Sequence, residues 1–177
     1  MAHPPSAPDP PLSPALALLA AVYPPHLISP SPPPSPTSSK PFVTLTYAQS
    51  LDGCISGRRG KQLILSGEES MRLTHRLREL HDSILVGVGT VLNDDPQLTA
   101  RLPTPLPLAS QPRPLILDSR LRTPADCKLL RNAQAGVGRE VTVLHAPRPA
   151  GEEGEAWEGR RRALEEKGAE LVEVERD

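Results

Sequence analysis

Cysteine is scarce in this 177-residue sequence: Cys54 and Cys127 stand far apart, with no C-x-x-C or His-Cys grouping near either. That argues against a disulfide framework and a zinc site and suits a reducing compartment. An excess of one charge is also lacking. The 20 basic and 21 acidic residues leave a net charge of −1, too little to hold nucleic acid or anionic lipid by bulk electrostatics, so the expected partner is small. The apolar run Ala15 to Val22 falls well short of the ~20 residues of a membrane span. No Lys or Arg precedes it, so it does not read as a secretory signal. A dinucleotide fingerprint is missing too, because the third glycine of G-x-G-x-x-G after Gly87-Val88-Gly89 would fall on Leu92.

Proline is plentiful but uneven, with 14 of 23 at or before Pro41. Residues 1–40 read as a proline-rich arm with little regular structure and residues 41–177 as the domain; the chain's hydrophobic content of 37% suffices for a core. Within the arm, Leu12 to Tyr23 is expected to form a short helix that docks on the domain or stays mobile, stopped by Pro24-Pro25. Ser29 to Ser39 reads as a polyproline-type linker, with P-x-x-P spacing at Pro30 to Pro33 and Pro33 to Pro36.

Along the domain, Phe42 to Ala48 is β-rich and predicted to be a buried strand ending at Asp52-Gly53. Arg58-Arg59-Gly60-Lys61 is a basic turn and Gln62 to Leu65 a short second strand. Ser66, three residues before Glu69, predicts a capping box, and Leu73, Leu77 and Leu80 follow the spacing of one buried helix face ending near His81-Asp82. Ser83 to Gly87 reads as a parallel strand covered on both faces, followed by a short helix from Gly89-Thr90 to Leu92. Leu102 to Pro112 is a loop. Pro114 to Asp118, Glu140 to Leu144 and Glu170 to Val174 are strands, and Ala156 to Lys167 is a helix capped by Gly168. Alternating elements predict an α/β fold with a parallel sheet. The last strand has no helix after it, which predicts a sheet incomplete at its C-terminal side.

Thr90, at a helix start, is either a plain N-cap or a donor to a phosphate or ribose. In Asn93-Asp94-Asp95-Pro96 adjacent carboxylates diverge and no third ligand is near, so a metal is disfavoured and a ribose contact from Asp94 preferred. Arg72 and Arg76 read as solvated helix residues. His75, His81 and His145 stand apart from any nucleophile, and Trp157 reads as a packing anchor.

The runs Pro41 to Gly53 and Ile84 to Pro96 each pass from a strand into a polar, glycine-bearing turn, where open α/β sheets bind ligands. With Leu117-Asp118-Ser119 they resemble, in order and spacing, the reductase of riboflavin biosynthesis, especially its fungal branch, over Pro41 to Val174. The resemblance implies a dihydrofolate-reductase-like sheet flanked by helices, a homodimer, a cytoplasmic setting, and NADPH (NADH also being open) as reductant of a ribosylaminopyrimidine phosphate. It implies that Ala48, Ile64, Thr90, Asp94 and Ser119 line the cofactor site, and that Gln62, Arg78, Leu98 and Arg101, with Asp52 close by, face the phosphoribosyl group. Arg78 and Arg101 are singled out by the resemblance alone. It assigns no proton donor. Relatives continue into a Glu-Gly-Gly turn that binds the cofactor pyrophosphate, so a chain truncated within its catalytic domain, and a poor enzyme, is the expectation. Two other readings remain. A dihydrofolate or pterin reductase predicts a folate-binding carboxylate on the first domain helix and no need for Arg101. An interaction module would act through the proline-rich arm.

Overall fold

The computed structural model describes residues 14–23, 40–57, 65–102 and 105–175. The basic turn at 58–61, the linker at 29–39 and all but Leu65 of the short strand expected over Gln62 to Leu65 lie outside them. Helix α1 spans Pro14–Val22 and α2 Glu68–Glu79. Strand β1 (Ser83–Gly87) runs directly into α3 (Val88–Asp94), β2 (Arg113–Leu117) precedes α4 (Lys128–Gln134), and β3 (Thr142–His145) leads to α5 (Glu152–Glu166) and β4 (Glu170–Glu173). No described helix is long and apolar enough to cross a membrane.

All four strands are parallel, in the order β1-β2-β3-β4. Crossovers between parallel strands share one hand, so strands that always advance in one direction stack every crossover helix on the same face. Burial follows that rule. Ile116 and Val143 are fully buried among Val91, Leu129, Leu130, Trp157 and Leu164, with Ile84, Val86 and Leu171 packed beside them. On the opposite face Leu85 is 54%, Leu117 49% and Val172 38% exposed. The two-sided cover expected for β1 is therefore wrong: its residues alternate between exposed and half-buried.

The strand expected over Phe42 to Ala48 is also absent. Phe42, Val43, Leu45 and Tyr47 are exposed, and the segment joins no ladder. β propensity describes how a side chain fits a pleated, half-buried surface, and without a neighbouring strand it forms nothing. The segment is instead tied down at one point. Tyr23 Oη and Thr44 Oγ1 lie 2.5 Å apart and Thr44 Oγ1 is 2.9 Å from His81 Nε2, while His81 Nδ1 donates to the Leu77 carbonyl at 2.7 Å. The Tyr23, Phe42 and His81 rings pack together, which docks α1 on α2.

The capping box does not form, since Gly67 is the N-cap of α2 and no side chain caps it. Leu73, Leu77 and Leu80 are half-buried, and the fully buried residue of that helix is His75. Helix α4 has no counterpart in the sequence reading. The turn at Gly53 (φ +78°) and the cap at Gly168 (φ +83°) stand where expected, in a left-handed conformation that glycine adopts freely.

Candidate functional site

Two groups of residues stand out, one between α2 and the loop segments that lead into β2, the other at the carboxyl ends of the strands. The first joins α2 to the loop after α3. Leu98, at φ +52°, is buried together with Thr99 and Ala100, a backbone state that costs of order 1–3 kcal/mol and persists only where its surroundings enforce it. Gln111 enforces it from one side. Its Oε1 accepts the Ala100 N–H at 2.8 Å, while its Nε2 donates to the carbonyls of Ala100 and Leu106, both at 3.0 Å. His75 acts from the other side, its Nδ1 accepting the Arg101 N–H at 3.0 Å.

This clamp sets two arginines against one loop. Arg78 Nη1 donates to the Thr99 carbonyl at 3.0 Å, and Arg101 Nη1 lies 3.4 Å from Thr99 Oγ1. Among the described residues neither has a carboxylate partner, whereas Arg72 is spent on Glu68 and Glu69 and Arg76 on Glu79. Burial, and then the neighbouring Arg101, lowers Arg78 to about 10. Burial, then Arg78 and Arg101, lowers His75 to about 4. A desolvated Arg78 beside an exposed Arg101, with no carboxylate between them among the described residues, makes a site that an anion would relieve.

The His75 shift carries a stability prediction. Its folded pKa lies below the ordinary 6.5, so below pH 6.5 the unfolded chain takes up a proton that the folded chain refuses. The stability tied to neutral His75 is present above pH 6.5 and is lost as the pH falls toward 4, up to about 3 kcal/mol. Urea midpoints across that window should fall more steeply for the native chain than for His75→Asn. Parallel pH profiles would contradict it.

The second group lies at the ends of β1, β2 and β3. Helix α3 begins at Val88 with Gly87 as N-cap, so Thr90 is inside its first turn and not the cap expected for it. The carboxylates of the Asp-Asp pair diverge as expected. Asp95 accepts the Lys128 N–H at 2.7 Å and pairs with Lys128 and Arg131, while half-buried Asp94 has no partner among the described residues. At the end of β2, buried Asp118 accepts both the N–H (2.7 Å) and the hydroxyl (2.8 Å) of Thr123, closing the turn that presents Ser119 and Arg120.

Ser119 and Arg120 line a cavity of about 180 Å³ with Ala146, Pro147, Pro149, Trp157 and Arg160. Arg160 Nε donates to the Arg120 carbonyl at 3.1 Å. Among the described residues neither arginine has an acidic partner, and no acid lines the cavity. Trp157 is buried against His145, with ring centroids 5.4 Å apart, and its Nε1 has no partner among the described residues.

A family model described as RibD C-terminal domain matches residues 41–145. The chain belongs to this family. It is 52% identical over 85 residues to the 2,5-diamino-6-ribosylamino-4(3H)-pyrimidinone 5′-phosphate reductase of Debaryomyces hansenii, covering 48% of this chain and 34% of the relative. To the reductase of that name from Schizosaccharomyces pombe it is 44% identical over 124 residues, covering 63% and 46%. The chain thus spans a third to a half of the length of these relatives. Among solved structures, Acinetobacter baumannii RibD aligns with 72% of this chain and 32% of its own, at a TM-score of 0.53 and 26% identity. A pyrimidine reductase-like protein from Corynebacterium diphtheriae aligns with 73% and 53%, at 0.56 and 19%, a likeness of fold alone. The fold is α/β, of the dihydrofolate-reductase-like kind.

The predicted site residues are distributed accordingly. Arg78, Leu98 and Arg101 come together around Thr99, and Thr90, Asp94 and Ser119 occupy the strand-end side. Ala48 and Asp52 sit on the exposed 41–57 segment, with no hydrogen bond to either group among the described residues. Asp52 accepts a hydrogen bond from Ser50 Oγ, which with the neighbouring backbone lowers its pKa. Gln62 and Ile64 lie outside the described residues. Sequence reasoning missed the roles of His75, Gln111, Asp118 and Arg160. His75, Gln111 and Arg160 contact residues 26, 11 and 40 positions away, and Asp118 one five away inside an irregular turn, none of which periodicity reveals.

Proposed function

We propose that this chain carries the ligand-recognising part of a reductase that uses NADPH to convert the ribosylamino side chain of 2,5-diamino-6-ribosylamino-4(3H)-pyrimidinone 5′-phosphate to the ribitylamino form. The observation that carries the reading is the Arg78–Arg101 pair on Thr99, with no carboxylate partner among the described residues, which suits a phosphate monoester held by charge-assisted hydrogen bonds. The carboxylates of α2 add support. Glu68, Glu69 and Glu79 are all paired with arginines, which leaves none in place for a pterin ring and disfavours a folate reductase.

The strand-end group fits a phosphorylated nicotinamide dinucleotide. Among the described residues Asp94 has no partner and would accept from a ribose hydroxyl, Thr90 lies on the same helix α3, and the cavity of Ser119, Arg120 and Arg160, with no described acid in its lining, suits a further phosphate. When bound, the cofactor supplies a hydride to C1 of the ring-opened, imine-like ribosylamino group. The chain's own contribution is to hold both ligands in register and exclude water, which supplies much of the rate for such transfers. A homodimer belongs to the same reading, the open sheet face around Leu85 and Leu117 being apolar area that a second copy could cover.

Titration by nicotinamide fluorescence tests the cofactor assignment. NADPH should bind more tightly than NADH, and the double variant Arg120→Ala/Arg160→Ala should weaken NADPH about tenfold or more while leaving NADH nearly unchanged. Thr90→Val and Asp94→Ala should weaken both. Unchanged affinity in all of these variants would remove the strand-end group from the cofactor site.

A further inference from the structure

We infer that His75 is a positioning residue for phosphate recognition: as a buried, uncharged acceptor for the Arg101 backbone N–H, it holds Arg101 in register with Arg78 across Thr99. The inference rests on the reading above, in which this arginine pair binds the substrate phosphate.

The geometry restricts what can occupy position 75. The side chain is 1% exposed and its Nδ1 accepts from Arg101 N at 3.0 Å, so in the neutral ring the proton sits on Nε2. That Nε2–H is buried and has no partner among the described residues. A fold that only had to fill space would not keep such an orphaned donor, because an apolar residue of similar volume avoids its cost. What an apolar residue cannot do is accept the Arg101 N–H. A carboxylate would accept it, but would also neutralise the arginines and compete with the incoming phosphate. Lysine or arginine would add a third positive charge. A neutral imidazole accepts without cancelling charge, and the surroundings that lower its pKa keep it neutral at physiological pH.

Chain geometry makes the contact consequential. Residues 98–101 run through a left-handed residue, Leu98, and are gripped at consecutive positions, Ala100 by Gln111 and Arg101 by His75. Within residues 98–101 the Gln111 bonds reach only Ala100. His75 therefore makes the contact that fixes the backbone of Arg101 itself, from which the phosphate-binding side chain extends, and it lies one helical turn from Arg78 on α2. One helix thus orients both cations.

The test is calorimetric binding of the ribosylaminopyrimidinone 5′-phosphate and of its dephosphorylated form to the native chain, His75→Leu, His75→Asn and Arg101→Ala. His75→Leu should raise Kd for the phosphorylated ligand about tenfold and leave the dephosphorylated one within twofold. Asparagine, whose Oδ1 can reach the Arg101 N–H from a shorter side chain, should recover most of the loss. Amide exchange at Arg101 should be slow in the native and Asn chains and fast in the Leu chain. Equal losses on both ligands, an Asn variant as weak as Leu, or an Arg101 amide that stays protected in His75→Leu would each overturn the inference. If His75→Leu does not fold, the decision falls to Asn, where weak phosphate binding in a folded chain counts against it. An Arg101→Ala chain that binds both ligands normally would instead mean that the arginine reading has failed.

Discussion

Arg101→Ala is expected to lower kcat/KM for the phosphorylated pyrimidine by about thirtyfold, a loss of ~2 kcal/mol, and to leave a dephosphorylated analogue nearly untouched. The magnitude follows from the environment. Arg101 shares the Thr99 loop with Arg78, whose lowered pKa records desolvation and a like charge nearby, so an anion between them relieves the repulsion of the pair. Hydrogen bonds to charged groups in such places contribute more than neutral ones. Arg78→Ala should cost at least as much, since it also breaks the bond to the Thr99 carbonyl and loosens the loop. Steady-state kinetics on the two substrates decide the matter. Equal losses on both would show that the arginines maintain structure and do not read the phosphate.

Asp118→Ala is expected to destabilise the chain by about 3 kcal/mol, lowering Tm by roughly 10 °C. One buried carboxyl oxygen satisfies both the N–H and the hydroxyl of Thr123, and its loss leaves both buried and unpaired. The turn so released contains Leu121, which is fully buried at φ +51°, a conformation that needs its surroundings to hold it. Because Ser119 and Arg120 ride on this turn, NADPH affinity should fall along with stability. Asp118→Asn keeps an acceptor and should recover part of both. Calorimetric melting together with cofactor titration separates the two effects, and a Tm within about 2 °C of the native value would refute the role given to Asp118.

The order of parallel strands and helices was legible because strand-length apolar runs such as Ile84 to Val86 and Leu115 to Leu117 are bounded by polar turns and separated by helical segments. The resemblance carried the arginines, which composition alone would have left as solvated surface. What stayed hidden was tertiary. Whether Phe42 to Ala48 pairs depends on a neighbouring strand, and in this structure none joins it. His75 looked unremarkable because its partner stands 26 residues away, and Gln111 because Ala100 lies 11 away in an irregular loop. The leucine stripe of α2 suggested the buried face, yet the residue most fully enclosed is the histidine that holds the loop. Leu117-Asp118-Ser119 was read for Ser119, whereas the middle residue supports the turn that presents it.

Single-turnover hydride transfer tests the central claim most directly, since an excess of chain over both ligands lets even a slow enzyme form product. With NADPH and the ribosylaminopyrimidinone 5′-phosphate, the account predicts the ribitylamino product in equal amount to the NADPH consumed, formed roughly thirtyfold more slowly by Arg101→Ala. No ribitylamino product from the chain while the Schizosaccharomyces pombe relative forms it under the same conditions, or product formation unaffected by Arg101→Ala, would contradict it.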